Sequence, residues 1–231
     1  MTDLRTIQEL SVAGRHQDCL QACQNVLQVN PEETYAYKYA GKSLLALGQF
    51  EKAQQCLVKA YQRDSSDPEI VKDIGNTFNA IKNHQEAERY YNLSLEINPK
   101  YAPAVNNLGL IAKQKRNLQV AKQLIERARD LDPLFVPFHI NLSGIYQDLG
   151  QLHQALASIL KALELNPDNP DAHMNLGGIY KDLGQLDQAL SSTLKSLELK
   201  PDNPTAHMNL GGIYEIQREM EKALKHYLLS R

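Results

Sequence analysis

The stretch that decides the fold is Asp171–Pro204, DAHMNLGGIYKDLGQLDQALSSTLKSLELKPDNP, because the chain on either side repeats it. Upstream stands PFHINLSGIYQDLGQLHQALASILKALELNPDNP, from Pro137, and downstream TAHMNLGGIYEIQREMEKALKHYLLSR, from Thr205. The register recurs every 34 residues, and a fixed period of that size marks a stacked array. Within one period the apolar residues recur at three and four, as in Leu176, Ile179 and Tyr180 and then Leu186, Ala189, Leu190, Leu194 and Leu197. That spacing gives one buried face on each of two helices. The DNP clusters before Pro170 and Pro204 stop one helix and start the next, since Pro167 cannot continue a helix while Pro170 suits a first turn.

The same ruler carried backward finds the skeleton under weaker sequence. The Leu176–Gly177 pair recurs as Leu210–Gly211, Leu142–Ser143, Leu108–Gly109, Ile74–Gly75 and Ala40–Gly41. The small residue that opens the second helix is Ala53, Ala87, Ala121, Ala155, Ala189 and Ala223, with Cys19 in the first copy. Seven copies fit without insertion, at 1–33, 34–67, 68–101, 102–135, 136–169, 170–203 and an incomplete 204–231. The expectation is one domain over residues 1–231, with no linker and no strand, in which each copy is stabilised by its neighbours.

This pattern resembles the tetratricopeptide repeat, with its Leu-Gly pair, aromatic, alanine and proline at these spacings. The resemblance covers the whole chain and implies an all-α fold, a right-handed α-solenoid superhelix of stacked antiparallel helix-turn-helix repeats. His139, His173 and His207 depart from it, standing where an aromatic is expected. They read as fillers of that slot, because a 34-residue spacing puts them about 10 Å apart, too far to share a metal. The first helix of the first copy carries little of the pattern beyond Leu10, as an end cap would.

The resemblance also implies a groove, lined by the first helices, that holds an extended peptide. The residue before each Leu-Gly pair is Asn107, Asn141, Asn175 and Asn209 in the last four copies. An amide both donates to a backbone carbonyl and accepts from a backbone N–H, so four in register form a ladder for any extended sequence. Similar asparagines line the arm of O-linked N-acetylglucosamine transferases. Helices about 10 Å apart and a ligand rise of about 3.3 Å per residue give the ladder about nine ligand residues. Beside it, Ile140, Met174 and Met208 flank Gly144, Gly178 and Gly212, which reads as an open trough with adaptable apolar walls.

The N-terminal half reads differently. Lys38 and Lys42 lie one turn apart, as do Lys72 and Asn76, with Asn107 on the next copy. Ammonium and amide groups there can hold a carboxylate, which predicts a preference for acidic peptide. Lys72, Asn76 and Asn107 match three residues of the two-carboxylate clamp of chaperone-binding tetratricopeptide domains; the other two should be basic and are Pro137 and Asn141.

Composition bounds the remainder. With 42% hydrophobic and 23% charged residues and a net charge of −2, the chain carries no global pull toward nucleic acid or an anionic membrane. No apolar run approaches the roughly 20 residues of a membrane span, and MTDLRTIQEL lacks the apolar core of a secretion signal. Three cysteines, Cys19, Cys23 and Cys56, read as reduced thiols of a cytoplasmic protein. His16, Cys19 and Cys23 share a helix face in the manner of a partial zinc site, but both cysteines fall in core slots, so no metal and no cofactor is expected. No phosphate loop or catalytic constellation is present, and the sequons at Asn92 and Asn141 matter only in a secretory compartment.

The sequence therefore reads as a non-enzymatic adaptor that presents a groove to a protein or peptide segment in extended form. The alternative is the substrate-recruiting arm of a modular glycosyltransferase- or sulfotransferase-like enzyme. The seventh copy ends without a capping helix over Leu224, Tyr227 and Leu228, which predicts either a longer parent protein or a homo-oligomer formed through that end.

Overall fold

Each copy folds as a helical hairpin because its turn residues stand where a helix must stop or reverse. The computed structural model describes residues 4–230. Among them the chain forms α1 (Leu4–Val12), α2 (His16–Val29), α3 (Thr34–Ala46), α4 (Phe50–Arg63), α5 (Pro68–Ala80), α6 (His84–Ile97) and α7 (Ala102–Gln114). It continues with α8 (Leu118–Leu131), α9 (Val136–Asp148), α10 (Leu152–Leu165), α11 (Pro170–Asp182), α12 (Leu186–Leu199), α13 (Pro204–Ile216) and α14 (Met220–Leu229). The described residues contain no strand, and the odd-numbered helices are the first helices of the seven copies.

The tight turn inside each hairpin needs one residue at positive φ. Gly14, Gly48, Gly150 and Gly184 supply it at φ 71 to 74°, while Lys82, Arg116 and Arg218 occupy the same register at 62 to 63°. Only glycine takes that conformation without steric cost. Between copies the first helices open on side-chain caps: Asp67 accepts from the Glu69 N–H, Asn169 from Ala172, and Asn203 from Thr205 and Ala206. Each cap satisfies an orphan donor of the first turn. Pro68, Pro170 and Pro204 follow in the first turn itself.

The small-residue register is the packing joint. Cys19, Ala53, Ala87, Ala121, Ala155 and Ala189 are fully buried and Ala223 nearly so. One turn later stands the residue that meets the Leu-Gly glycine: a Cβ on Gly41 would lie 2.5 Å from Leu57, on Gly75 2.6 Å from Tyr91, and on Gly211 2.5 Å from Tyr227. Glycine there lets the two helices of a hairpin close to contact.

The helices group into two compact units, one running to Ile111 and one from Ala112. In the first, α1 packs on α3 and α3 on α5; in the second, α9 packs on α11 and α11 on α13. Successive second helices meet far less than first helices do, and between α2 and α4 a cleft of about 500 Å³ opens over Ala40 and Leu44. Each unit therefore closes up on its first-helix side.

The histidines of the second unit do more than fill the aromatic slot. The Nε2 of His139, His173 and His207 bonds the carbonyls of Pro133, Pro167 and Pro201 at 2.8, 2.8 and 3.0 Å. Each ring thus ties the start of a first helix to the turn six residues before it. In α1 only Ile7 is buried, with Leu4 and Leu10 against the same core. Cys19 and Cys23 lie in that core, where burial pushes the Cys23 thiol well above its ordinary value, and Cys19 Sγ donates to the Ile7 carbonyl at 3.5 Å. They are packing residues, and no group of three metal-ligating side chains occurs among the described residues. No described helix is long and apolar enough to cross a membrane.

Candidate functional site

In the first unit the outward register of α3 and α5 is charged and closed on itself. Lys38, only 8% exposed, reaches Asp67 at 2.7 Å and Glu69 at 2.5 Å, and Lys42 pairs with Glu69 as well. Burial alone would raise the Glu69 carboxyl, but the hydrogen bonds and charges of Lys38 and Lys42 outweigh it and hold the group at about 2. Burial alone would lower the Lys38 ammonium, and Asp67 and Glu69 reverse that to leave it raised. Lys42 also lies 5.2 Å from the Tyr39 ring centre.

One helix on, Lys72 bonds Asp73 at 2.6 Å, Asn76 donates to the same Asp73 oxygen at 2.9 Å, and Asn107 and Tyr91 both donate to Asn76 at 2.9 Å. Asn106 donates to Asn107 at 3.2 Å. The three residues that match a carboxylate clamp are thus bound to one another around an acid. Each of the ammonium groups of Lys38, Lys42 and Lys72, read from the sequence as a preference for acidic peptide, is paired with a carboxylate of α5 or its cap. Asp73 was the residue missed. It stands 34 residues before Asn107, in the ladder register itself, and that register was the signal that could have found it. It is 3% exposed and its second carboxylate oxygen has no partner among the described residues.

In the second unit the first helices carry glycine and apolar residues on the same face. Residues four and then three apart share a helix face, so Ile140, Gly144 and Gln147 form a stripe on α9, Met174, Gly178 and Lys181 one on α11, and Met208, Gly212 and Glu215 one on α13. The glycines let side chains of the neighbouring copies lie across the backbone. A Cβ on Gly144 would sit 3.3 Å from Lys113 Nζ, on Gly178 3.5 Å from Gln147 Nε2 and 3.6 Å from Asn209 Nδ2, and on Gly212 3.6 Å from Lys181 Nζ. The trough predicted over these glycines is therefore floored by N–H donors rather than empty.

The asparagines divide. Asn209 donates to the Met174 carbonyl at 3.3 Å and so links α13 to α11. Asn141 is half-buried and not free of partners. Asn175 is half-buried and its side chain makes no hydrogen bond to the described residues. Met174 is half-buried, while Met208 is 56% exposed. Asn175, Met174 and Met208 are brought to adjacent first helices; Asn107 belongs to the closed network of the first unit.

Helical hairpins that repeat every 34 residues, with first helices stacked side by side, define a helical-repeat protein. A model described as "TPR repeat" matches residues 145–184 and 177–217, and one described as "Tetratricopeptide repeat" matches 38–102, together more than half of the chain. The chain belongs to the tetratricopeptide-repeat family. Repeats of this family mediate protein–protein interaction, and the fold is typically non-catalytic.

No curated protein matches the chain by sequence. Among solved structures, the APC/C hetero-tetramer Cut9–Hcn1 aligns with a TM-score of 0.88 at 16% identity, over 97% of this chain and 45% of that one. The human IFIT1 dimer with PPP-AAAA aligns at 0.82 and 18% identity, over 99% and 58% of the two chains. PilF of Pseudomonas aeruginosa aligns at 0.71 and 19% identity, over 84% and 89%. At these identities the likeness is one of fold.

Proposed function

We propose that the protein is a non-enzymatic adaptor that grips an extended segment of a partner protein along α9, α11 and α13. The observation that carries this reading is Asn175, an amide in the ladder register with no hydrogen bond to the described residues. It lies on a helix whose floor is lined by the donors Gln147 and Asn209 and flanked by Met174 and the exposed Met208. An open amide beside N–H donors suits peptide carbonyls, and mobile thioethers suit varied apolar side chains. The geometry favours backbone recognition with loose side-chain selection, as in other modes that read extended peptide.

A nonapeptide array tests it. Wild-type protein should retain a set of peptides that Asn175→Ala loses by about tenfold, since one bond to a backbone group that is left unmade costs about 1.4 kcal/mol. Equal retention by both proteins would remove Asn175 from the site. Asn209→Ala is the less clean variant, because it also cuts the link to Met174.

A further inference from the structure

A pairing rule runs through the second unit and breaks at its last step. Lys113 of one copy reaches Asp148 of the next at 3.0 Å, and Gln147 reaches Asp182 at 2.6 Å. Each pair joins residues 35 apart, at the C-terminal ends of successive first helices. The third member is Lys181, whose partner position is Ile216. Lys181 is half-buried and has no ion pair or hydrogen bond among the described residues; Ile216 is 56% exposed and accepts nothing.

Neither neighbouring carboxylate is paired with that ammonium, although both keep their charge. Asp182 turns back to Gln147, and Glu215, which follows Lys181 by one repeat, accepts the Tyr227 hydroxyl at 2.6 Å. The arm itself is placed, with Nζ lying over Gly212, 3.6 Å from where a Cβ there would stand and with the Tyr227 hydroxyl 3.8 Å from the same point. It stands in the stripe of Met174 and Gly178, the stripe assigned above to the peptide.

We infer that Lys181 is the specificity-determining cation of the groove and takes one carboxylate of the bound segment. It is the counter-charge that Asp148 provides for Lys113 and that Ile216 withholds. This rests on the peptide-binding reading of the same face. The carboxylate is either an Asp or Glu side chain or a free C-terminus; both give an ammonium the same charge-assisted acceptor. The clusters at Lys38, Lys42 and Lys72 carry no such preference, being neutralised within the fold.

The test is a nonapeptide array in which Glu, Gln and Lys are scanned through every position of Ala/Ser/Asn-rich peptides, printed once with free and once with amidated C-termini. Full-length wild type, Ile216→Asp and Lys181→Gln are compared, with circular dichroism as a check on folding. Wild type should favour Glu over Gln by about fivefold at one position, the size expected of a half-exposed ion pair. Ile216→Asp restores the internal pair, so it and Lys181→Gln should both lose the preference while keeping neutral peptides. A preference seen only with free C-termini assigns the terminal carboxylate; one that survives amidation assigns a side chain. Binding without acid preference, or a preference unchanged in both variants, overturns the role of Lys181 and leaves the groove reading intact. No retained peptide at all, with all three proteins folded, overturns both.

Discussion

The first helices of the two units present the same register positions and use them in opposite ways. On α5 the stripe is Lys72, Asp73 and Asn76, bonded to one another and to Asn107. On α11 the matching stripe is Met174, Asn175 and Gly178, with one amide left open. Repeat geometry sets where a side chain stands, but its neighbours decide whether its bonding capacity is spent inside the protein or remains for a partner. In the first unit that capacity stabilises the stack. In the second, Asn175 leaves its capacity unspent among the described residues.

If that contrast is right, removing a cation should be costly in one unit and nearly free in the other. Lys72→Met strips the counter-charge from Asp73, a carboxylate 4% exposed, and should cost about 3 kcal/mol in urea unfolding. Lys181→Met should cost less than about 0.5 kcal/mol, as surface changes generally do. The pair Lys72→Met with Asp73→Leu should recover most of the loss, because an apolar pair replaces both charges. Equal costs for the two single variants would erase the distinction between the units.

Next in size is the hairpin joint. Gly177→Ala drives a methyl into Thr193 and to 3.2 Å from the Ala189 carbonyl, and should destabilise by about 2 kcal/mol. Gly178→Ala meets only the ends of Gln147 and Asn209 and should gain about 0.5 kcal/mol from helix propensity. The two adjacent glycines thus separate the packing face of α11 from its groove face.

The acid limb of stability belongs to the first unit. Because Glu69 is held at about 2 in the folded protein, below an unfolded value of about 4.3, its contribution is full above that value and is lost as pH falls toward 2. Glu69→Gln should cost about 2 kcal/mol at pH 7, since Lys38 keeps only Asp67. It should also flatten the fall in stability between about pH 5 and pH 2. An unchanged acid limb would show that the triad contributes little. Smallest is the turn effect: Lys82→Gly and Arg218→Gly should each gain about 0.5 to 1 kcal/mol, one in each unit, by relieving a positive φ.

Most of the fold was legible because it is written in a fixed period. Alanine 189 and its equivalents, the Leu-Gly pairs and the DNP turns each carry a backbone or packing requirement that a sequence states directly. The site was legible only as a register. That Asn175 is open while Asn107 is consumed depends on which residues reach them from other helices, and that information is spread over 31 to 35 residues. Lys38 and Lys42 read as free ammonium groups because Asp67, which closes their own copy, and Glu69, which opens the next, lie 27 to 29 residues away, where a cap and a first turn serve two purposes at once. The histidine ties to Pro133, Pro167 and Pro201 were hidden for the same reason: the aromatic slot was visible, the carbonyl six residues back was not.

The central claim is tested most directly by placing a photo-crosslinker, p-benzoylphenylalanine, at Met208 in one protein and at Lys42 in another, each mixed with the nonapeptide best retained by wild type. Capture at position 208, abolished by Asn175→Ala, with none at position 42, is the predicted result. Capture at position 42 alone, or at neither position while the peptide still binds, would contradict the assignment of the groove to the second unit.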